Sequence, residues 1–349
     1  MIDWLSMVVP MRHNAPLNAG HVLSIQPTGE VEWQTSKRVQ VEGSHDARIS
    51  VRTATHTAEP CTHVEISGNP VKFFQGHNLW GTDDLPGLVV DTCHAVAGLA
   101  GIEPDPLDVA AWQAGDVRLT CVDATESFHL NSRAEVLAFL RSAEQTAHLS
   151  HRGRGQLVKG STLYFGKNSR RWSLKLYAKG PEIERKGHRQ EIVLALPSAR
   201  EWADKTLRVE LRLHSMELRR VGLDHARDWF TADGLPSAVT AKLLRDVFEG
   251  MTMTTTAHLS ADVMETLRPA LRLAVQAWEA GSDLREQLPH RTFYKYRREL
   301  LAHGIDIATR MPREVSNVVP LYRVLEAKPA QVPAWAEGTP LYFEPRRVA

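Results

Sequence analysis

Only three cysteines, Cys61, Cys93 and Cys121, occur in 349 residues, and none forms a Cys-x-x-Cys pair. That excludes a disulfide framework and a zinc knuckle and fits a reducing compartment. No apolar run approaches the length needed to span a bilayer. The opening MIDWLSMVVPM carries an acidic residue and no basic n-region, so no signal peptide is expected. The expectation is a soluble cytoplasmic protein without membrane contact. Internal repeats, low-complexity tracts, a Walker-type phosphate loop and His-apolar-His pairs are all missing.

Net charge is also scarce, at +1, but it is unevenly distributed. From His151 to Arg220 there are 17 Lys and Arg against 7 Asp and Glu, while the remainder of the chain is net −9. A basic block in a near-neutral chain fits a polyanionic partner, nucleic acid first. A merely solvated cationic face would carry the same charge.

Hydrophobic content of 43% with 24% charged residues is ordinary for a globular protein. Alternating patterns predict strands in THVEIS, DVRLTCVDATESFHL, STLYF, RRWSLKLYA and KTLRVELRLHS. Helical spacing marks LPGLVVDTCHAVAGLAG and NSRAEVLAFLRSAEQ, and helix dominates after about Gly222. We therefore expect an α+β chain. Residues 1–221 form an antiparallel sheet with flanking helices, and residues 222–349 form a helical accessory domain. A Pro-containing tail should be extended and docked.

The hairpin from Ser161 to Glu184 carries the first chemical signal. Gly166-Lys167-Asn168-Ser169 is turn chemistry between its two strands. In the second strand Trp172, Leu174 and Leu176 face one way, and Ser173, Lys175, Tyr177 and Lys179 the other. A tyrosine between two lysines sits in a cationic row that would favour a phenolate and hold a phosphate beside it.

Three more strands place an acid between apolar neighbours: Glu65, Asp123 and Glu210. If these strands share one sheet, three carboxylates and Tyr177 converge on a single wet face. Oxygen ligands of that kind suit Mg²⁺ or Mn²⁺. Each acid alone is more often a solvent-facing strand residue, and only the joint pattern raises the metal reading. His77, in the loop Gln75-Gly76-His77-Asn78, is a fourth candidate ligand.

Lys167, Arg170, Arg171, Arg208 and Arg212 are the candidate DNA contacts on the strands. A second basic set, Arg291, Lys295, Arg297 and Arg298, lies on the last helix of a helix-turn-helix-like layout, with Phe293, Tyr296 and Leu300 inward. A basic solvated helix face is the competing reading.

PCTHVEISGNPVKFFQGHNLWGTDDL (60–85), VDAT (122–125), SRRWSLKLYAKGPEIE (169–184), LRVELRL (207–213) and MPREVSNVVPLYRV (311–324) together resemble the gene II replication initiators of filamentous phages. The resemblance runs through most of the chain in the same order. It implies a rolling-circle endonuclease that nicks the plus strand at a double-stranded phage origin, holds the 5′ phosphate on a tyrosine, and later religates the displaced strand. It puts the nucleophile at Tyr177; Tyr164, on the neighbouring strand, is the runner-up. Its setting is the host bacterial cytoplasm, with origin DNA, displaced single strand and a host helicase as partners. The paired histidines of other rolling-circle nickases are absent here. Competing classes are a non-catalytic sequence-specific DNA-binding regulator, indifferent to EDTA, and a relaxase or transposase sharing the chemistry.

Overall fold

A computed structural model describes residues 1–43, 47–54, 61–188, 190–230, 237–253, 264, 266–279, 282–302, 306–308 and 329–345. Fourteen strands are present among them: β1 Ile2–His13, β2 His21–Ile25, β3 Val31–Ser36, β4 Val39–Glu42, β5 Arg48–Thr53, β6 Cys61–Gly68, β7 Arg118–His129, β8 Ala147–Leu149, β9 Gly153–Arg154, β10 Gln156–Val158, β11 Thr162–Phe165, β12 Trp172–Ala178, β13 Thr206–His214 and β14 Met251–Met253. Nine of them make one sheet in the order β10-β11-β12-β13-β7-β1-β6-β5-β4. Every pairing in it is antiparallel. The expected α+β architecture with one antiparallel sheet is what the chain adopts.

Alternation puts the apolar halves of these strands on one face. Leu207, Val209, Leu211 and Leu213 of β13 are buried there with Leu174 and Leu176 of β12 and Val122 of β7. Two helices seal that face. Leu85–Leu99 brings Leu88, Val89 and Val96, and Arg133–Thr146 brings Val136, Phe139 and Leu140. Ser132 caps the second helix, its hydroxyl accepting the Glu135 amide, as Ser-x-x-Glu spacing favours. The helix Ser237–Glu249 lies against β7, and Leu244 joins the same core, so this core extends beyond the composition change near residue 221.

The opposite, polar face is not left to solvent. A second apolar cluster of Leu79, Trp80, Ile183, Val193, Trp202 and Ala336 packs around it. Two short helices lie where the strand pattern predicted neither: Lys179–Glu184 brings Ile183 to this cover, whereas Pro70–Gln75 packs Val71 and Phe73 into the main core. Pro70–Gln75 is a helix, opened by Asn69 as cap and closed by Gly76 in the left-handed region at φ 81. Lys179–Glu184 is also a helix, so Lys179 begins a new element and does not extend the β12 row. Segment 329–345 docks here, with the Leu341 carbonyl accepting from His77 Nε2 at 2.9 Å and Trp80 Nε1 at 2.8 Å.

A third cluster, of Leu271, Val275, Trp278, Leu284, Phe293 and Leu300, belongs to helices Pro269–Glu279, Leu284–Gln287 and His290–Leu301. The MPREVSNVVPLYRV segment lies outside the described residues. No described helix is long and apolar enough to cross a membrane.

Candidate active site

The sheet register aligns the polar residues of β12, β13 and β7 into rows. Tyr177 pairs with Arg208, Lys175 with Glu210, and Ser173 with Arg212. Arg208 pairs onward with Ser127, Glu210 with Thr125, and Arg212 with Asp123. Tyr177, Glu210 and Asp123 therefore share one face, in neighbouring rows.

That face is dry, contrary to the expectation of a wet one. Tyr177 is 2% exposed, Asp123 2%, Glu210 7%, and Arg208 and Lys179 0%. Burial pushes the Tyr177 phenol well above its ordinary range; Glu210 adds to this and Arg208 opposes it. The expected phenolate is thus overturned in the resting protein, because desolvation outweighs the cations. Lys175 Nζ lies 4.0 Å from the Tyr177 ring centre and Lys179 Nζ 5.8 Å away, so both cations do attend the ring.

The two lysines differ. Burial lowers Lys175, but Glu210 at 2.9 Å outweighs it and holds the ammonium charged above its ordinary value. Burial lowers Lys179 overall, although Glu182 at 2.8 Å opposes the shift.

The carboxylates separate into two groups. Asp123 accepts from Arg212 Nε at 2.7 Å and Nη2 at 2.5 Å. Burial pushes its carboxyl up to about 7, with Glu210 adding to the rise and the Arg212 hydrogen bonds opposing it. Glu65 is elsewhere. It pairs with Val8 of β1 and Arg52 of β5, and its oxygen is bonded by Arg38 and Arg52, each at 2.7 Å. Two strands and two rows separate it from Asp123, roughly 15 Å from strand spacing and rise. Glu65 therefore does not join the Asp123–Glu210 pair.

His77 does not join it either. Its Nε2 faces the Leu341 carbonyl, and its Nδ1 accepts from the Leu79 amide at 3.3 Å. With both nitrogens engaged, the ring ties the 77–80 loop to the docked 329–345 segment and leaves no atom for a metal.

Asp3 takes the place that pattern reading gave to Glu65. Asn78 and Asn69 each donate to its Oδ1 at 2.8 Å. Burial raises the Asp3 carboxyl, but Lys179, Arg208 and the two amides outweigh it and hold it below its ordinary value. Nothing in Ile2-Asp3-Trp4-Leu5 marks this residue, because a register shift between Ile2 and Trp4 turns it towards the site. Asn78 is the hub. Its side-chain oxygen accepts from Lys179 at 2.7 Å and Gln190 at 2.8 Å, while its carbonyl accepts from Arg208 at 2.9 Å.

Glu210 and Asp3 both raise the Asp123 carboxyl, and the three acids offer the all-oxygen donor chemistry that a hard divalent cation requires, although their oxygens do not lie within 4.8 Å of one another as they stand. Arg212, 41% exposed, and Lys175, 25% exposed, hold the first two. The set fits such a cation on donor type. Among the described residues, the trio with ligand atoms within 4.8 Å of one another is a different one, Asp224, His225 and Asp228. A capping box at the Ala226–Trp229 turn joins His225 and Asp228 of that trio.

The DNA-contact candidates also divide. Arg208 is fully buried and bonded to the Asn78 and Leu79 carbonyls, so it cannot reach a nucleic acid; it braces the site. Arg212 is committed to Asp123, and Arg171 pairs with Glu217 at 3.0 Å. Arg170 and Lys167 are exposed beside the hairpin turn. On His290–Leu301, Arg291, Lys295 and Arg298 form an exposed stripe, whereas Arg297 clamps Asp306 at 2.8 and 2.9 Å.

Comparison with known proteins bears on these groups as a set. The family model for the N-terminal part of the gene II-type replication-associated protein matches residues 1–232, and the model for the C-terminal part of the same protein matches residues 261–344. A replication-associated protein of this type from Enterobacteria phage I2-2 is 36% identical over 353 residues, covering 100% of this chain and 99% of its own length. A solved rolling circle replication initiator protein from Geobacillus stearothermophilus aligns over 75% of this chain and 89% of its own, at 14% identity and a TM-score of 0.33.

Proposed function

The chain belongs to the gene II-type family of replication-associated proteins, and from that premise we propose that it initiates rolling-circle replication by nicking and rejoining DNA through Tyr177. The observation that carries the reading is the Tyr177 pocket itself. A buried phenol lies against Lys175 with Arg208 and Glu210 opposite in the register, and Asp123 follows one row on.

In the first step Tyr177 Oη attacks the scissile phosphorus. The P–O3′ bond breaks, a P–Oη bond forms, and the 5′ phosphate stays on the tyrosine while the 3′ oxygen leaves as a hydroxyl. The phenolic proton must be removed during attack, because burial keeps it on Tyr177 at rest. The proton passes to solvent, another proton from solvent completes the 3′ hydroxyl, and Lys179, whose Nζ lies 5.8 Å from the ring centre, steadies the phenolate as it forms. Lys175 stays charged and offsets negative charge developing on the phosphoryl oxygens. A divalent cation, Mg²⁺ or Mn²⁺, held by Asp123 and Glu210 would supply Lewis-acid polarisation of those oxygens. Rejoining is the reverse transesterification, with the bond energy conserved in the adduct. Origin duplex, displaced strand and a host helicase are the partners this reading calls for. The sheet carries the chemistry, and the basic stripe of His290–Leu301 contributes origin contacts.

The test uses supercoiled DNA bearing the cognate phage origin, incubated with Mg²⁺ or EDTA and resolved by denaturing electrophoresis. A nicked circle with protein on its 5′ end, seen only with metal and lost in Tyr177→Phe, is expected. Binding without a nick in either condition would favour the regulatory DNA-binding reading.

A further inference from the structure

The polar face that carries Tyr177 continues to a second tyrosine that the reaction leaves unused. Tyr164 of β11 pairs with Lys175 of β12, so it sits diagonal to Tyr177 on the same face. Diagonal residues lie roughly 7–8 Å apart across an antiparallel pair. Tyr164 is half-buried and forms one wall of an open cleft of about 380 Å³, shared with Arg152, Arg154, Gln156 and Lys167.

The cations in this cleft are not equally occupied. Arg154 donates to the Gln145 carbonyl at 2.5 Å and lies 3.9 Å from Asp306. Lys167 Nζ is 5.1 Å from the Tyr164 ring centre. Arg152 stacks its guanidinium over Trp172 at 4.3 Å. Its Nε is buried with no hydrogen-bond partner among the described residues. The acid it senses, Glu217, is already bonded by Arg171 and Arg220. Gly166 makes this seat possible: at φ 67 it lacks the Cβ that would meet Arg152 Cδ at 2.7 Å. A guanidinium fixed on an aromatic face and left short of acceptors is matched to a phosphate.

We propose that this cleft is a subsite for single-stranded DNA beside the scissile position, in which an unpaired base stacks on Tyr164 and its phosphates lie on Arg152 and Lys167. The proposal rests on the reading of Tyr177 as nucleophile, which brings a strand to this face. A separated strand, not a duplex, fits because a stacking platform needs an open base face.

Anisotropy titrations of full-length Tyr177→Phe protein, which forms no covalent link, against a labelled oligothymidylate and a labelled hairpin duplex test it. Adding Tyr164→Ala should weaken oligothymidylate binding about tenfold, the effect of losing one stacked base. Tyr164→Phe should recover most of the loss, and duplex affinity should move less than about twofold. Lys167→Gln, on an exposed turn that folding does not need, should lower the single-strand salt slope by about 0.7. Unchanged oligothymidylate binding in Lys167→Gln and folded Tyr164→Ala, or an equal loss on duplex, overturns the subsite. Should Tyr164→Ala fail to fold, an unchanged Lys167→Gln salt slope overturns it alone. The wild-type covalent adduct is assayed separately. An adduct with unaltered single-strand binding removes the subsite only; no adduct removes the nucleophile assignment.

Discussion

Glu65 and Glu210 begin as the same device, an acid between two apolar strand residues, and end as different chemistry. Glu65 on β6 finds Arg38 and Arg52 and stays 24% exposed. Glu210 on β13 finds Lys175 and Tyr177 beneath the Trp80–Trp202 cover and is 7% exposed. The strand pattern decides which face a residue takes. What packs over that face decides whether its charge is part of a surface ion pair or of a buried one. The two ends of one polar face therefore differ in dielectric more than in composition.

That contrast can be broken most sharply at Tyr177, the proposed nucleophile. Tyr177→Phe should reduce covalent adduct with origin DNA to background, while Tyr164→Phe and Glu65→Gln retain it; adduct formed by Tyr177→Phe would erase the distinction between the two ends. Next in size is the brace. Arg208→Ala leaves the Asn78 and Leu79 carbonyls without their donor in a buried site and should cost about 3–5 kcal/mol by urea unfolding. Loss under about 1 kcal/mol would mean water reaches that face.

A smaller effect concerns pH. In metal-free protein, burial raises the Asp123 carboxyl to about 7, so between the ordinary carboxylate range and about pH 7 the folded state binds a proton that the unfolded chain has released. Stability is then full below the ordinary carboxylate range and declines as pH rises through about 7. Urea midpoints in EDTA should fall between about pH 5 and about pH 8 by the equivalent of a few kcal/mol, and Asp123→Asn should flatten the slope. A flat wild-type profile would show that Arg212 keeps Asp123 ionised throughout. Smallest of all, Glu65→Gln should cost under about 1 kcal/mol, because a partly exposed pair contributes little and is screened by salt.

Much of the sheet was legible because alternation is local. The bounds of β11, β12 and β13, and the shared face of Tyr177, Glu210 and Asp123, all follow from period-two patterns. Burial of that face was not legible. It depends on Trp80, Trp202 and Ala336, brought together from three distant segments. Asp3 escaped for a related reason: only the register shift in β1 and a hydrogen bond to Asn78, 75 residues away, reveal its role. His77 looked like a ligand because a loop histidine beside Gly and Asn does so in isolation, and the Leu341 carbonyl that occupies it lies 264 residues on. Lys179 was assigned to the strand row because alternation carries no stop signal there, yet its ammonium still returns to the tyrosine from the first turn of a helix.

The order of strands has a consequence for how this protein is made. β1 precedes the other strands along the chain but lies near the middle of the sheet, where Leu5 must wait for Val122 of β7, and β7 in turn waits for Leu211 of β13. Pairings so far apart in sequence make folding slow, since the chain must close long loops before it gains their contacts. Until Thr206–His214 has been synthesised, β7 exposes an unpaired edge, and Tyr177 lacks the neighbour strand that carries Arg208 and Glu210. The row of Tyr177, Arg208 and Glu210 is therefore assembled only once Thr206–His214 has been made, a timing set by topology.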